Sequence, residues 1–235
     1  MKKIIELKHV YKVYQQGGMQ QTVLEDINLD IFFGEFVTLV GESGNGKSTL
    51  LNLLTGIDHP SYGEIIVNGT ALQNLGEEKL TAWRGGNVGI VFQFFQLLPT
   101  LTLLQNIVLP MDFLGKTGKR QRRERAMHLL ELVGLENEAH RLPSQVSGGQ
   151  QQRAAIARAL ANDPQLIIAD EPTGNLDQAN ADAVFQLFVK LRDQGKTLVM
   201  ATHNQALAAA GSRRLEIHSG QIHLTTAPAL LSQHR

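Results

Sequence analysis

The sequence predicts an α/β domain that binds a polyphosphate and is interrupted by a helical insert. Three observations predict it. The first is Gly41-Glu42-Ser43-Gly44-Asn45-Gly46-Lys47-Ser48-Thr49, a phosphate-binding loop of the form G-x-x-x-x-G-K-[ST]. The second is a set of short apolar runs at 36–40, 88–92, 166–170 and 197–201, each of the length of a buried strand. The third is a change of character at Gln93. From there to about residue 162 the period is mostly helical, with expected breaks at Pro99, Pro110, Gly115 and Pro143. We therefore expect a core over 1–93 and 162–225, a helical insert over 94–161, and a loose tail over 226–235.

Taken in order, residues 4–10 and 24–31 alternate as half-buried strands, with Tyr14 and the pair Gly17-Gly18 between them. Gly34-Glu35 turns the chain into the strand that precedes the phosphate loop. After the loop, residues 47–55 carry leucines at 50, 51, 53 and 54, with Gly56 as a stop, which reads as a buried helix. Three glycines let the loop curl round a polyphosphate with its N–H groups at the helix's positive end. Lys47 can then reach the β- and γ-phosphates, and Ser48 can ligate magnesium. A glycine-rich turn that binds nothing is the plainer alternative. That pattern arises by chance in on the order of one in a hundred chains of this length, and the flanking strand and helix lower the odds further.

Asn68-Gly69 after an apolar run signals a hairpin, and a short helix is expected over 77–83. Within the insert, Lys116, Lys119, Arg120, Arg122, Arg123 and Arg125 form a basic run at a helix start. It reads as a solvated face rather than a lipid-headgroup contact. A helix is expected over 179–192, and a hairpin over 214–218 and 222–224.

Composition narrows the function classes. The 235 residues have a formal net charge of zero, so no overall field steers the chain onto nucleic acid. There is no cysteine, which excludes disulfides and thiolate metal sites. No run approaches the ~20 apolar residues of a membrane span, and the N-terminus lacks the apolar core of a secretion signal. The expectation is a soluble, cytoplasmic protein.

Two further motifs bear on chemistry. Asp170-Glu171 ends an apolar strand, where the first carboxylate can hold magnesium and the second can polarise an attacking water. Alone the pair is an ordinary strand end; together with a phosphate loop it reads as catalytic. Ser147-Gly148-Gly149-Gln150 opens a helix, with Ser147 as a natural N-cap and two glycines exposing N–H groups. That makes a second anion site, although from physics alone an ordinary capped helix is the simpler reading.

Gly41 to Thr49, Gln93, Ser147 to Gln150, Asp170-Glu171, Asp177 and His203 follow the order and spacing of an ATP-binding cassette (ABC) ATPase. The chain resembles that family over nearly its whole length. The resemblance implies a P-loop NTPase fold with a RecA-like core, an antiparallel β piece and a helical subdomain bearing the signature. It implies ATP and Mg2+ as ligands. Gly41, Glu42, Ser43, Gly44, Asn45, Gly46, Lys47, Ser48 and Thr49 would hold the nucleotide, and Tyr14 would stack on adenine. Ser48, Gln93 and Asp170 would face the metal, while Glu171, His203 and Gln93 would serve hydrolysis. Ser147, Gly148, Gly149 and Gln150 would meet the ATP of an opposing copy, and Asp177 would lie in the loop crossing to it.

Two departures stand out. Val146 replaces the usual leucine ahead of the signature, and Asn175 replaces alanine in Thr173-Gly174-Asn175-Leu176-Asp177. The latter resembles the lipoprotein-release and macrolide-export branch, as does the stretch 92–102. The resemblance thus implies an ATP-dependent homodimer at the cytoplasmic face of the inner membrane. It would drive an integral membrane permease subunit of few helices and a large extracytoplasmic domain, with export or mechanotransmission as its task. The alternative is a non-transport ABC ATPase regulating a membrane partner in division or signalling. Nucleic-acid ATPases of the family carry a coiled-coil insertion or two fused cassettes, and neither is present here. Phe94, Phe95, Leu97 and Leu98 are expected to be exposed and to form part of the docking groove for the partner.

Overall fold

The computed structural model describes residues 2–225. The tail expected over 226–235 lies outside the described residues.

Two sheets form the frame. In the first, β1 (Lys3–Gln16) and β2 (Met19–Phe32) make a long antiparallel hairpin. The turn is Gly17-Gly18, at φ 59° and 82°, a conformation glycine adopts without steric cost. β1 also pairs antiparallel with β4 (Tyr62–Val67), which the Asn68-Gly69 turn links to β5 (Thr70–Ala71). The order is β2-β1-β4-β5. Both hairpin strands run well past the alternating stretches expected from sequence. Register shifts, with His9 and Asp26 at positive φ, break the alternation between the paired segments. One consequence is that Tyr14 belongs to β1, opposite Gln21, and not to a connecting loop.

The second sheet has the order β10-β9-β3-β8-β7-β6. Its strands are β3 (Phe36–Val40), β6 (Val88–Val91), β7 (Leu166–Asp170), β8 (Thr197–Ala201), β9 (Arg213–His218) and β10 (Gln221–Thr225). All neighbours are parallel except β9 with β10. The helices are α1 (Lys47–Thr55), α2 (Glu77–Asn87), α3 (Leu103–Leu114), α4 (Lys119–Leu132), α5 (Gly148–Ala159), α6 (Gln178–Asp193) and α7 (Gln205–Ala210).

The period of two along a strand splits the interior in two. Val37, Leu39, Leu166, Ile168, Val199 and Ala201 face one core, shared with the leucines of α1 and the apolar side of the antiparallel sheet. Phe36, Ile167, Ala169, Leu198 and Met200 face the other, shared with α3, α4, α5 and α6. Strands buried on both faces are why these runs read as continuously apolar.

Three local expectations fail for identifiable reasons. Pro110 does not break the helix: α3 continues through it, because Ile107 and Met111 on either side are buried against the second core. The helix expected over 77–83 extends to Asn87 through Gly85-Gly86. There Asn162 donates to the Gly85 carbonyl at 2.8 Å, and Arg84 to those of Thr55 and Gly56. Of the four residues expected to be exposed, Phe94 and Leu98 are, whereas Phe95 and Leu97 are half-buried, Leu97 against the second core. The basic run behaves as a paired surface. Arg120 meets Glu124 at 2.8 Å, Arg122 meets Asp112 at 3.0 Å, and Arg125 meets Asp163 at 3.5 Å.

Candidate functional site

The parallel strands β3, β6, β7 and β8 end on one side of the sheet, where open α/β sheets bind their ligands. There a cleft of about 570 Å³ is lined by Ser43, Gly44, Gly46, Lys47, Ser48 and Thr49 of the phosphate loop, by Gln93, Asp170 and Glu171, and by Thr173, Gly174, His203 and Asn204, while Gly41, Glu42 and Asn45 lie outside the lining.

The loop owes its path to glycine. Gly41, at φ 147°, lies so close to β9 that a Cβ would overlap the Ile217 carbonyl oxygen. Gly46 caps α1 in the left-handed region at φ 94°, where a Cβ would lie 3.0 Å from the Val23 carbonyl oxygen. No side chain caps α1, and its first turn carries no acidic residue, so nothing in the helix itself competes for its positive end. Lys47 is nearly buried, and its ammonium donates to the loop's own carbonyls, Gly41 at 2.8 Å and Glu42 at 3.0 Å. A buried ammonium that donates to neutral carbonyls is a strong hydrogen-bond donor to an anionic oxygen brought beside it.

Across the cleft, β7 delivers Asp170 and Glu171. Glu171 has φ 46°, an uncommon conformation for glutamate, and its side chain is only 14% exposed. One carboxylate oxygen accepts from the His203 backbone N–H at 3.1 Å. The other lies 3.0 Å from His203 Nε2 in an orientation that makes no hydrogen bond, leaving a buried acceptor unsatisfied beside the cleft. Such an oxygen can take a hydrogen from a water placed in the cleft. Gln93 is anchored through its main chain, whose carbonyl accepts from Asn175 Nδ2 at 3.1 Å.

Among the described residues no cluster of three or more His, Cys, Asp or Glu could hold a metal by itself. The cleft nevertheless gathers the Ser48 hydroxyl, the Gln93 amide and the Asp170 carboxylate. This sparse oxygen set suits magnesium, which takes most of its ligands from phosphate and water.

Tyr14 does not line the cleft, but its phenol interacts with Thr49 on α1. Ser147 to Gln150 and Asp177 also lie outside the cleft lining. Ser147 caps α5 with a reciprocal capping box: its hydroxyl accepts from the Gln150 N–H at 3.3 Å, and the Gln150 side chain accepts from its own N–H at 2.9 Å. Asp177 caps α6, accepting from the Asn180 backbone at 2.9 Å and side chain at 2.8 Å. Those bonds hold its carboxyl below the usual aspartate range. The amide of Asn180 packs directly on Gly149, where a Cβ would overlap it, so the starts of α5 and α6 abut.

Sequence reasoning missed Thr173, Gly174 and Asn204 in the lining, and also Lys12 and Asp58, which hold Tyr14. Only the proximity of the first three to the other motifs could have pointed to them. No sequence signal joins positions 12 and 58.

Comparison with known proteins agrees with this geometry. The ABC transporter family model matches residues 24–174. An uncharacterized ABC transporter ATP-binding protein of Thermotoga maritima is 46% identical over 222 residues, covering 94% of each chain. One from Methanocaldococcus jannaschii is 46% identical over 219 residues, 93% of this chain and 97% of its own. Among solved structures, the dimeric post-hydrolysis state of the ATP-binding cassette MJ0796, bound to ADP and Pi, superposes with a TM-score of 0.89 at 40% identity. It covers 96% of this chain and 99% of that one. A P-loop cleft closed by Asp170 and Glu171, a self-capped Ser147 helix outside it, and relatives matched over almost their full length lead to one conclusion: the chain belongs to the ABC transporter family, as one of its ATP-binding proteins.

Proposed function

We propose that the chain binds ATP with magnesium in the cleft, pairs head to tail with a second copy, and uses hydrolysis to drive a separate membrane protein. One observation carries the reading. The phosphate loop and the two carboxylates share a cleft, while the second anion-ready helix end, at Ser147, lies outside it. A second copy would bring that end to the first copy's ATP.

In this reading Lys47 exchanges its carbonyl partners for the β- and γ-phosphate oxygens, and the amides of the loop hold the rest of the chain of phosphates. Magnesium, when bound, neutralises phosphate charge; Ser48, Asp170 and Gln93 are the residues that would face it. Glu171 offers its unsatisfied oxygen to the attacking water. As the water oxygen bonds to the γ-phosphorus, the water gives up a proton toward Glu171, the bond to the bridging oxygen breaks, and ADP leaves with that bond's electron pair. His203, beside Glu171, is placed to follow the γ-phosphate. The Ser147 hydroxyl accepts from Gln150, so its own hydrogen remains to donate to the opposing nucleotide.

Glu171→Gln tests this. Phosphate release should fall by roughly a hundredfold or more with ATP affinity kept, and ATP with magnesium should move the protein from monomer to dimer in light scattering. A monomer at saturating ATP would remove the sandwich from the reading.

The partner is read from a second cleft of about 740 Å³ between α2, α3 and β6, lined by Leu98, Leu109, Pro110, Phe113 and Leu114 among others. Phe113 is 82% exposed and Phe94, nearby in sequence to the hinge residue Gln93, is 66% exposed. Neither exposure suits a surface that meets only water. No helix among the described residues is long and apolar enough to cross a membrane, so the transported cargo would pass through, or be moved by, another chain. The insert over 94–161 would rotate against the core about Gln93 and pass the motion to that chain. The Thr173 to Asp177 stretch favours a mechanotransmission partner with few membrane helices. The chain has no cysteine, so Phe94→Cys supplies a single thiol for crosslinking in native membranes. An adduct with an integral membrane protein is expected, with Gln178→Cys as the unreactive control. Equal labelling at both positions would count against docking here.

A further inference from the structure

Tyr14 sits in a structure of its own. Its hydroxyl donates to Asp58 Oδ2 at 2.7 Å. Lys12, nearly buried, places its ammonium 4.7 Å from the centre of the Tyr14 ring. The same ammonium donates to Asp58 Oδ1 at 2.6 Å and to the His59 carbonyl at 2.8 Å. Asp58 also accepts from the His59 backbone N–H at 2.7 Å. Lys12 and Tyr14 are on one strand, two apart and so on the same face of β1. Asp58 follows the Gly56 cap of α1, the helix that begins in the phosphate loop.

A tyrosine that were merely a strand residue would need none of this. Lys12 has three hydrogens, and two are committed to Asp58 and His59, which fixes where the charge lies over the ring. Asp58 then pins the ring's far end, which holds the ring's long axis in place, while the ammonium beside the face sets the tilt of the plane about it. Burial tends to raise the Asp58 carboxyl, but the hydrogen bonds from Lys12, Tyr14 and the His59 amide outweigh it and hold it below the ordinary range. Tyr14 as a residue remains 39% exposed, with Thr49 of the phosphate-loop helix interacting with its phenol.

We propose that Lys12 and Asp58 are positioning residues for the base of the nucleotide: they hold the Tyr14 ring as a fixed shelf, one face covered by the ammonium and the other open to a purine. This deepens the ATP-binding reading and rests on Tyr14 meeting the base. The ammonium also draws electron density toward the covered face, making the open face less repulsive to an electron-rich base. Fixing the ring before binding removes the entropy that ordering it would otherwise cost at each encounter.

The test separates base from phosphate. Affinities for ATP and for inorganic tripolyphosphate are measured by calorimetry on wild type, Lys12→Met, Asp58→Asn, Tyr14→Ala and the Lys12→Met/Tyr14→Ala double variant. Lys12→Met and Asp58→Asn should each weaken ATP by about threefold to tenfold with tripolyphosphate unchanged. Tyr14→Ala should weaken ATP by at least as much, again with tripolyphosphate unchanged. In the Tyr14→Ala background the Lys12 change should have no further effect, and Lys12→Arg should restore most of the lost affinity. Normal ATP binding by Lys12→Met and Asp58→Asn beside a weakened Tyr14→Ala overturns the shelf and keeps the stack. Normal ATP binding by Tyr14→Ala overturns both. Parallel loss for ATP and tripolyphosphate would mean the residues act through the phosphate loop, and would also overturn the proposal.

Discussion

Two helices of this molecule begin at ends that the proposed function assigns to an anion, and the two ends are built differently. α1 starts at a left-handed glycine with no side-chain cap, beside a buried lysine that donates to two neutral carbonyls. α5 starts at a serine that completes a reciprocal capping box with Gln150, its end exposed and already satisfied. The first end is unfinished without a ligand. The second is stable alone and can add one donor to a ligand brought to it. In the proposed function, open backbone amides would bind in the single chain, and a capped end would serve when another surface presents the anion.

The largest effect should come from Lys47→Ala. Removing its charge-assisted bonds should weaken ATP binding to the isolated chain by about tenfold to a hundredfold, measured by titration at low protein concentration. Ser147→Ala should leave that affinity within about twofold while abolishing ATP-dependent dimers. If Ser147→Ala weakened monomeric binding as Lys47→Ala does, the two helix ends would be equivalent and the contrast would fail.

Glycine substitutions sharpen the contrast at the level of stability. Gly41→Ala drives a methyl group into the Ile217 backbone at a φ that disfavours side chains, and should cost roughly 1–3 kcal/mol. Gly149→Ala carries no φ penalty, but its methyl group meets both the amide of Asn180 and, at 2.8 Å, the Asn180 Cβ, so turning the amide away clears only part of the overlap and the starts of α5 and α6 must also shift. That should cost roughly 1–2 kcal/mol. Urea melts should place Gly41→Ala below Gly149→Ala.

The smallest effect concerns pH. Asp177 has a depressed carboxyl in the fold, chiefly through the Asn180 backbone bond. Its contribution is therefore complete above the ordinary value of 3.8 and is lost as pH falls below it toward the folded value. Asp177→Asn keeps a capping oxygen and removes the charge. Its thermal midpoint should lie slightly below wild type at pH 6, with the gap closing as pH falls through 3.8. A gap of the same size at pH 3 would assign the effect to packing.

How far the sequence could be read follows the same division. The phosphate loop, its flanking strand and α1 rest on local chemistry, so glycine spacing and apolar runs were enough. The parallel strands were found for the same reason. Ser147 to Gln150 reads from local physics only as a capped helix, which it also is; its pairing with a second copy came from resemblance. Tyr14 was misplaced because irregular register, with His9 and Asp26 at positive φ, hides a long strand from any test of alternation. Its holders Lys12 and Asp58 are joined by tertiary contact alone. Pro110 failed as a helix breaker because burial of Ile107 and Met111 outweighs one missing backbone donor.

The central sheet is a wall common to two cores, with adjacent residues such as Phe36 and Val37 assigned to opposite rooms. Substitution at one position therefore disturbs one room. Slippage by a single residue exchanges the two rooms' furnishings along the whole strand, placing Phe36 where Val37 belongs and every neighbour likewise. A strand in this sheet is thus free to vary in composition and hardly free at all in length. The two-sided burial supplies a ruler that keeps Val40 and Asp170, the last residues of β3 and β7, in fixed relation at the mouth of the cleft.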